Sequence, residues 1–249
     1  EKIIAKHNPD VVINTAAMTN VDACEDHQEE CWDINVKAVD YLLQSSKKHN
    51  SHFIHLSTDF VFDGENGPYI ETDKPNPLSY YGESKLAAEK VIENSGISYS
   101  IIRTIIVYGL AAKMSRNNIV LWAKNALEKG ETISVVNDQW RMPTLAEDLA
   151  AACLAAVQKE AQGVFNVSGK DFMNMVELVQ QVADFWHLDK TLIWAADQKQ
   201  ANKFAEILRT FNGLENAVLV SHSNNDKYSD HLTEFKKNNS IKVLVCVDR

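Results

Sequence analysis

The chain has 249 residues, of which 45% are hydrophobic and 24% are charged, a composition typical of a soluble globular protein. No apolar run reaches the ~20 residues that a membrane-spanning helix needs, and no signal peptide opens the chain, so we expect no membrane partner. The net charge of −9 argues against nucleic acid as a partner.

The four cysteines form neither a C-x-x-C pair nor a regular framework, which favours a reducing, cytoplasmic location. They are Cys24, Cys31, Cys153 and Cys246. Cys24, His27 and Cys31 could share one face of a helix, which raises the question of a metal site. No fourth ligand is apparent and the segment is acidic, so we expect a solvated helix face and no metal.

Short apolar runs alternate with longer amphipathic stretches along residues 1–189. We predict strands at 10–17, 52–62, 98–109, 132–136 and 163–169, and helices at 21–48, from 79 onward, at 117–130 and at 145–160. Strands that alternate with helices indicate an α/β fold with a parallel sheet and right-handed crossovers. In such sheets, ligands bind beyond the carboxyl ends of the strands.

The segment SYYGESKLAAEK, residues 79–90, places Tyr81 and Lys85 four positions apart on one face of a predicted helix, while Tyr80 points elsewhere. A phenol with a free pKa of about 10 is a poor acid or base at neutral pH. An ammonium held nearby would lower that pKa toward the working range. The pair therefore indicates acid–base chemistry at Tyr81, although the bare spacing is also common on solvated helix faces.

Small and polar residues lie where two predicted strands end. Ala16 and Ala17 end the first strand, and Thr58 and Asp59 lie near the end of the second. Because the carboxyl ends of parallel strands meet at one edge of the sheet, we expect these residues to converge with Tyr81.

Seven stretches resemble, in order, those of the extended short-chain dehydrogenase/reductases, and within that group the dTDP-4-dehydrorhamnose reductases. The stretches are PDVVINTAAMTNVDACE, INVKA, HLSTDFVFDG, PLSYYGESKLAAE, IIRT with VYG, DQWRMPT with EDLA, and GVFNVSG. The resemblance covers residues 1–189 and implies a Rossmann-like, doubly wound sheet that binds NADP or NAD. It also implies reduction of a nucleotide-activated 4-keto sugar in dTDP-rhamnose or cell-surface polysaccharide biosynthesis.

The resemblance assigns three catalytic residues. Tyr81 would give its proton to the substrate oxygen while the cofactor delivers hydride. Lys85 would hold the cofactor ribose and lower the pKa of the phenol. Thr58 would hydrogen-bond the carbonyl oxygen, where negative charge develops.

The resemblance also assigns binding residues. The cofactor would approach the backbone at Ala16, Ala17 and Thr19, beside Tyr81 and Lys85.

The substrate would contact Thr58, Asp59 and Arg141. Plainer interpretations stay open: Thr58 could cap a strand end, Asp59 could bind a loop amide, and Arg141 could form a surface salt bridge.

Two features depart from the family pattern. The nine glycines contain no G-x-x-G-x-x-G or G-x-G-x-x-G, so the N-terminal loop that seats the cofactor pyrophosphate is missing, and we expect the chain as given not to turn over. Ile106 replaces the tryptophan of the family's RTSW strand. The exact sugar and the choice between NAD and NADP therefore stay open.

Residues 190–249 differ in charge from the rest of the chain. They carry 9 Lys and Arg against 7 Asp and Glu, whereas residues 1–189 carry 16 against 27. This segment is a predicted β-α-β-α-β unit that resembles part of the second RecA-like domain of superfamily 2 helicases; an atypical reductase C-terminus is the alternative. We therefore divide the chain at residue 189 into an incomplete reductase-like domain and a separate tail.

Three functional hypotheses result. The first is an NAD(P)-dependent oxidoreductase acting on a nucleotide sugar. The second is a non-catalytic binding subunit of the same fold, because the regulatory subunit of methionine adenosyltransferase is similar to this family. The third is an inactive fragment or fusion with a helicase-derived tail. Whether the protein forms a homodimer is left open.

Overall fold

The structure is a computed structural model in which the chain folds into two compact units. It describes residues 2–110, 118–131, 133–186, 191–195, 218–222 and 243–247. The first unit comprises Glu1–Val107 and Pro143–Gly169, and the second comprises Tyr108–Met142 and Lys170–Arg249. The boundary between the units therefore does not coincide with residue 189.

The secondary structure alternates between helices and strands. Helices α1 to α8 are Lys2–His7, Val21–Asp26, Gln28–Trp32, Ala38–Lys48, Tyr80–Glu93, Ile119–Glu128, Ala146–Gln158 and Met175–Phe185. Strands β1 to β12 are Val11–Asn14, His52–Thr58, Tyr99–Thr104, Val107–Tyr108, Ile133–Ser134, Trp140–Arg141, Thr144–Leu145, Gly163–Asn166, Met173–Asn174, Thr191–Ala195, Val218–His222 and Val243–Val247. Among these helices, none is both long and apolar enough to cross a membrane.

The first unit contains a parallel sheet with the strand order β1-β2-β3-β8. Its register pairs Val12 with Phe53 and Ile54 with Ser100. The pairs β1–β2, β2–β3 and β3–β8 are all parallel, as the alternation of strands and helices predicted. The strands end earlier than predicted, because the chain turns into a 3₁₀ helix at Asp59–Val61 directly after β2.

Successive residues of β2 and β3 pack against helices on opposite faces of this sheet, as the two-residue period of a strand requires. Phe53 and Ile101 pack with residues of α4 and α5, namely Val39, Leu43, Ala88 and Ile92. Ile54 and Ile102 pack with residues of α7, namely Leu149, Cys153 and Ala156. Helices on both faces confirm the Rossmann-like α/β prediction.

The second unit contains its own parallel sheet, with the strand order β11-β12-β10-β5. The strand predicted at 132–136 joins this sheet through pairing of Ile133 with Ile193, rather than the sheet of the first unit. Helices α6 and α8 pack together beside it through Ala123, Leu127, Val179 and Val182. The three strands predicted in the tail are present, and the two helices predicted between them lie outside the described residues.

Candidate active site

The end of β2 and the start of α5 are held close together by their local sequence. Thr58 caps the 3₁₀ turn by accepting a hydrogen bond from the Phe60 N–H at 3.2 Å. Ser79 caps α5 by accepting from the Gly82 N–H at 3.2 Å. A Cβ on Gly82 would lie 2.3 Å from the Phe60 carbonyl oxygen, so only glycine allows this approach. The start of α5, which carries Tyr81, therefore packs closely against the 3₁₀ turn after β2.

Tyr81 is buried, with 8% of its surface exposed, and lies near enough to Thr58 for that side chain to affect its pKa. The pKa of Tyr81 is raised to about 12, mainly by burial; Thr58 acts in the opposite direction, and the nearby Asp59 and Cys24 add to the rise. The sequence predicted the opposite direction, with Lys85 lowering the phenol's pKa. That prediction is wrong for this structure because the ring lies in an apolar cluster with Cys24 and Phe60.

Lys85 is 2% exposed, and its amine is directed at β2. Nζ donates to the Leu56 carbonyl at 2.8 Å and lies 3.0 Å from Nε2 of His55. Burial lowers the pKa of Lys85 to about 8, while Glu89 and Cys31 act in the opposite direction. The structure thus places Lys85 four residues behind Tyr81 on the same buried face of α5.

The segment after β1 carries Ala16 and Thr19, which are exposed, and Ala17, which is half-buried. Its backbone is held by two buried asparagines. Asn14 accepts from the Ala16 N–H at 3.2 Å.

Asn35, in the π-helical turn Asp33–Lys37 between α3 and α4, clamps Met18. Its Oδ1 accepts from the Met18 N–H at 2.8 Å, and its Nδ2 donates to the Met18 carbonyl at 3.1 Å. Nδ2 also donates to Ser84 of α5 at 2.9 Å, so Asn35 ties this segment to the helix that carries Tyr81.

The three predicted substrate residues are divided between the units, with Thr58 and Asp59 in the first and Arg141 in the second. Asp59 accepts a hydrogen bond from the Thr58 hydroxyl at 3.1 Å and is half-buried beside Tyr81. Arg141 belongs to the second unit, where its guanidinium donates to the Trp140 carbonyl at 3.0 Å and to Oε1 of Gln139 at 3.2 Å. Contact of any of the three with substrate stays a prediction.

A buried ion pair lies behind the candidate site. Arg103 of β3 binds Glu89 of α5 in a bidentate manner, with Nη2 2.7 Å from Oε2 and Nε 3.0 Å from Oε1. Ser57 donates to the same carboxylate at 2.5 Å, and the Arg103 guanidinium lies 5.2 Å from the centre of the Phe62 ring. Because Glu89 follows Lys85 by one turn, this pair orients the face of α5 that carries the site.

Cys24 and Cys31 are fully buried, so the predicted solvated face is wrong for both cysteines. They pack with Tyr81, while His27 between them is exposed. In the part of the chain that the structure describes, no three His, Cys, Asp or Glu side chains are grouped to hold a metal ion.

Sequence reasoning missed His55, Asn14 and Asn35. The sequence does contain a sign of each, namely a polar residue within an otherwise apolar strand or helix face. His55 lies in HFIHLS, Asn14 in VVIN and Asn35 in INVKA. Such residues are buried only when they are hydrogen-bonded, and the sequence does not show their partners.

The sequence model of the RmlD substrate binding domain matches residues 1–238. The chain belongs to this family. Among relatives, subunit beta of methionine adenosyltransferase 2 from Danio rerio is 30% identical over 209 residues, which are 82% of this chain and 64% of that protein. The chain thus spans less than two thirds of that relative.

Two solved structures of RmlD-type reductases resemble the chain. A hypothetical dTDP-4-dehydrorhamnose reductase from Sulfolobus tokodaii is 33% identical, with a TM-score of 0.70, and the match covers 77% of this chain and 66% of that one. The dTDP-4-dehydrorhamnose reductase of Bacillus anthracis, solved with NADP, is 26% identical, with a TM-score of 0.74, and the match covers 80% and 69%.

Proposed function

We propose that the protein containing this chain is an NAD(P)H-dependent reductase of a nucleotide-activated 4-keto sugar, similar to dTDP-4-dehydrorhamnose reductase. The observation that carries the proposal is the buried Tyr81 near Thr58 at the end of β2, with the amine of Lys85 one helical turn behind on the same buried face of α5. Membership of the RmlD family and the NADP complex of the Bacillus anthracis reductase support it.

The Tyr81 and Thr58 hydroxyls suit the reduction of a carbonyl group. The Tyr81 O–H, together with the Thr58 O–H once it turns away from Asp59, would hydrogen-bond one oxygen and stabilise the charge that develops on it. With a pKa of about 12, Tyr81 carries its proton at neutral pH and can give it to that oxygen. Thr58 would hold the oxygen in place, and Asp59 would contact the sugar.

The residues present fit a nicotinamide dinucleotide. Lys85 is a buried amine with N–H groups beyond the one that Leu56 accepts, as binding of ribose hydroxyls requires. Ala16, Ala17 and Thr19 leave the backbone after β1 accessible to a ligand. Bound there, the reduced cofactor would supply hydride to the carbonyl carbon.

The replacement of Tyr81 by phenylalanine tests the proposal. In the protein containing this chain, with the N-terminal strand, glycine loop and helix present, Tyr81→Phe keeps the ring but removes the proton, so we expect kcat with a dTDP-4-keto sugar to fall by about 10²–10⁴-fold while the affinity for NADPH is retained. Tyr80→Phe, at the neighbouring half-buried tyrosine, is the matched control and should leave kcat within about twofold. A Tyr81→Phe protein with most of its kcat would exclude Tyr81 as the acid.

A second candidate is a non-catalytic binding subunit, which the similarity to subunit beta of methionine adenosyltransferase 2 favours. The two candidates differ in what Tyr81 does. If the chain is a regulatory subunit, its wild-type and Tyr81→Phe forms should change the activity of an associated enzyme to the same extent. If it is a reductase, Tyr81→Phe should lose turnover.

Three finer predictions accompany the proposal. Buried free thiols at Cys24, Cys31 and Cys153 are consistent with the predicted reducing cytoplasm. The oligomeric state stays open, with a homodimer as one possibility, and size-exclusion chromatography with light scattering tests it. The helicase resemblance of residues 190–249 stays a prediction without support from the family match, which extends to residue 238.

A further inference from the structure

Three polar side chains form a hydrogen-bonded row at the amino end of the first sheet. Ser98 lies directly before β3, Ser100 lies within β3, and His52 begins β2. Oγ of Ser98 lies 2.6 Å from Nδ1 of His52, and Oγ of Ser100 lies 3.0 Å from Nε2 of the same ring. The Ser100 hydroxyl also donates to the Ala161 carbonyl at 2.5 Å. The row is separate from the candidate active site, because Thr58 lies at the other end of β2, about 20 Å away.

The direction of each hydrogen bond in this row follows from the Ala161 carbonyl. A carbonyl oxygen can only accept, so the Ser100 hydrogen points to Ala161, and the Ser100 oxygen must accept from Nε2–H of His52. Burial lowers the pKa of His52, so the ring is neutral at pH 7 and carries one hydrogen. Nδ1 therefore carries a lone pair, which accepts the hydrogen of the Ser98 hydroxyl.

The row has the parts of an activated nucleophile. A serine hydroxyl is a weak nucleophile unless a base within about 2.6–3.2 Å takes its proton and a third group orients that base. Here His52 is the base, and Ser100, held by Ala161, orients it. Ser98 is exposed, whereas Ser100 is fully buried, so the hydroxyl that can meet a reagent is the one that faces the lone pair.

Backbone hydrogen bonds keep Ser98 beside the imidazole. The Phe53 N–H donates to the Ser98 carbonyl at 2.9 Å. In the loop that precedes Ser98, the Lys47 ammonium donates to the Ser95 carbonyl at 2.8 Å. These bonds position the hydroxyl before any reagent arrives, as a preorganised nucleophile requires.

We propose that Ser98 is a nucleophilic serine that takes an acyl group from an activated ester, with His52 as its general base. Oγ of Ser98 bonds to the acyl carbon while its proton passes to Nδ1 of His52. The bond between that carbon and the leaving oxygen then breaks, and the leaving alcohol takes the proton from Nδ1. The products are the free alcohol, a neutral His52 and Ser98 esterified at Oγ. This activity is independent of the reductase function proposed above.

Acetylation of the full chain by p-nitrophenyl acetate tests the inference. We expect an acetyl group on Oγ of Ser98, located by peptide mass spectrometry, with release of p-nitrophenol. Ser95 is the internal control, because its hydrogen is bound by the Ile92 carbonyl at 2.6 Å rather than by an imidazole. Ser98 should react at least about tenfold faster than Ser95.

The variant His52→Gln separates the effect of the base from that of exposure. Glutamine can hydrogen-bond both serine hydroxyls but does not take a proton at pH 7, so acetylation of Ser98 should slow by about 10²-fold or more. His49→Gln is the matched control, because His49 is also half-buried and bonded through Nδ1, in its case to Asn8 at 2.9 Å. It should leave the rate at Ser98 within about twofold.

The variant Ser100→Ala tests Ser100 as a positioning residue. It removes the oxygen that holds the hydrogen on Nε2 of His52. Nuclear magnetic resonance with ¹⁵N-histidine should show the Nε2–H tautomer in the wild type and a mixture of both tautomers in Ser100→Ala. Acetylation of Ser98 should slow less in this variant than in His52→Gln, because the base is still present.

The inference is overturned if Ser98 is acetylated no faster than Ser95, or if His52→Gln reacts as fast as the wild type. Should His52→Gln fail to fold, the ratio of acetylation at Ser98 and Ser95 in the wild type alone decides. A protein that acetylates Ser98 but has no sugar reductase activity would refute the proposed function and leave this inference standing.

Discussion

At the residue scale, the buried pair of Arg103 and Glu89 depends on the presence of both charges. Glu89→Gln would leave the guanidinium of Arg103 buried without its counter-ion. Breaking such a pair from one side costs about 3–5 kcal/mol of unfolding free energy. Asp33→Asn, in the exposed pair with Lys37, is the control and should change stability by less than about 1 kcal/mol in urea titrations. Equal losses of stability in Glu89→Gln and Asp33→Asn would contradict the claim that the buried pair depends on both charges.

Asp63 gives a pH dependence with a definite sign. Hydrogen bonds from Tyr69, then Asn76 and the Glu65 N–H, lower the pKa of Asp63 from 3.8 to about 2. Because the folded pKa is depressed, the contribution of Asp63 is complete above pH 4 and is lost as pH falls toward 2. Melting temperatures between pH 4 and 2 should therefore fall less steeply in Asp63→Asn than in the wild type. Identical slopes would show that these hydrogen bonds do not favour the carboxylate.

The candidate site was only partly predictable from the sequence. Thr58, Tyr81 and Lys85 lie at element ends or on one helix face, where spacing alone predicts proximity. His55 was overlooked because its partner, Lys85, is thirty residues away and on another element. The pKa of Tyr81 was predicted in the wrong direction, since burial depends on packing that a single sequence does not show.

At the element scale, Ile106 has a backbone conformation that suits it poorly. Its φ of 38° lies in the left-handed region, where β-branched residues are strained. The Thr144 N–H donates to the Ile106 carbonyl at 3.1 Å and helps to hold the turn.

Ile106→Asn should therefore raise the unfolding free energy by about 1 kcal/mol, because asparagine tolerates this region. Ile106→Val keeps the branched Cβ and should bring no gain. Urea titration of both variants measures the difference in unfolding free energy. A lower unfolding free energy for Ile106→Asn than for the wild type would contradict the claim that the Ile106 backbone is strained.

Helix α8 was not predicted, although its start carries a recognisable signal. Asn174 accepts from the Glu177 N–H at 2.9 Å, and the Glu177 carboxylate accepts from the Asn174 N–H at 2.9 Å, which completes a capping box. Asn174→Ala should cost about 1 kcal/mol, and Asn174→Asp, which keeps the cap, should cost much less. Thermal unfolding of the two variants makes the comparison, and equal losses would argue against the cap.

At the scale of the whole molecule, the two sheets were predictable to different degrees. The order β1-β2-β3 follows from local alternation of strands and helices, which constrains neighbours in a parallel sheet, whereas β8 pairs with β3 across 63 positions, Ser100 with Gly163. Pairing of Ile133 with Ile193 joins residues sixty positions apart, and no local pattern predicts it. The strands of residues 190–249 were therefore predicted, but the pairing of β10 with β5 was not.

This pairing predicts how the chain responds to truncation after residue 189. The second sheet would lose β10, β11 and β12, which leaves β5, the strand that α6 contacts, without its partner and removes β10 from beside α8. Hydrogen exchange should accelerate by at least about tenfold in α6 and α8, while β2 and β3 of the first unit stay protected. Unchanged exchange in α6 would mean that residues 190–249 form an independent unit.

Strand β2 presents Phe53, His55 and Ser57 on the same side, and these meet in turn the apolar part of α5, Lys85 and Glu89. A slip of one residue in the pairing of β2 would bring isoleucine and leucine to the lysine and the carboxylate instead. A molecule with the wrong register would thus be unable to hold its ionisable groups in place. Errors in strand alignment during folding should consequently yield inert molecules rather than weakly active ones, so the active fraction of a refolded sample would count the correctly aligned chains.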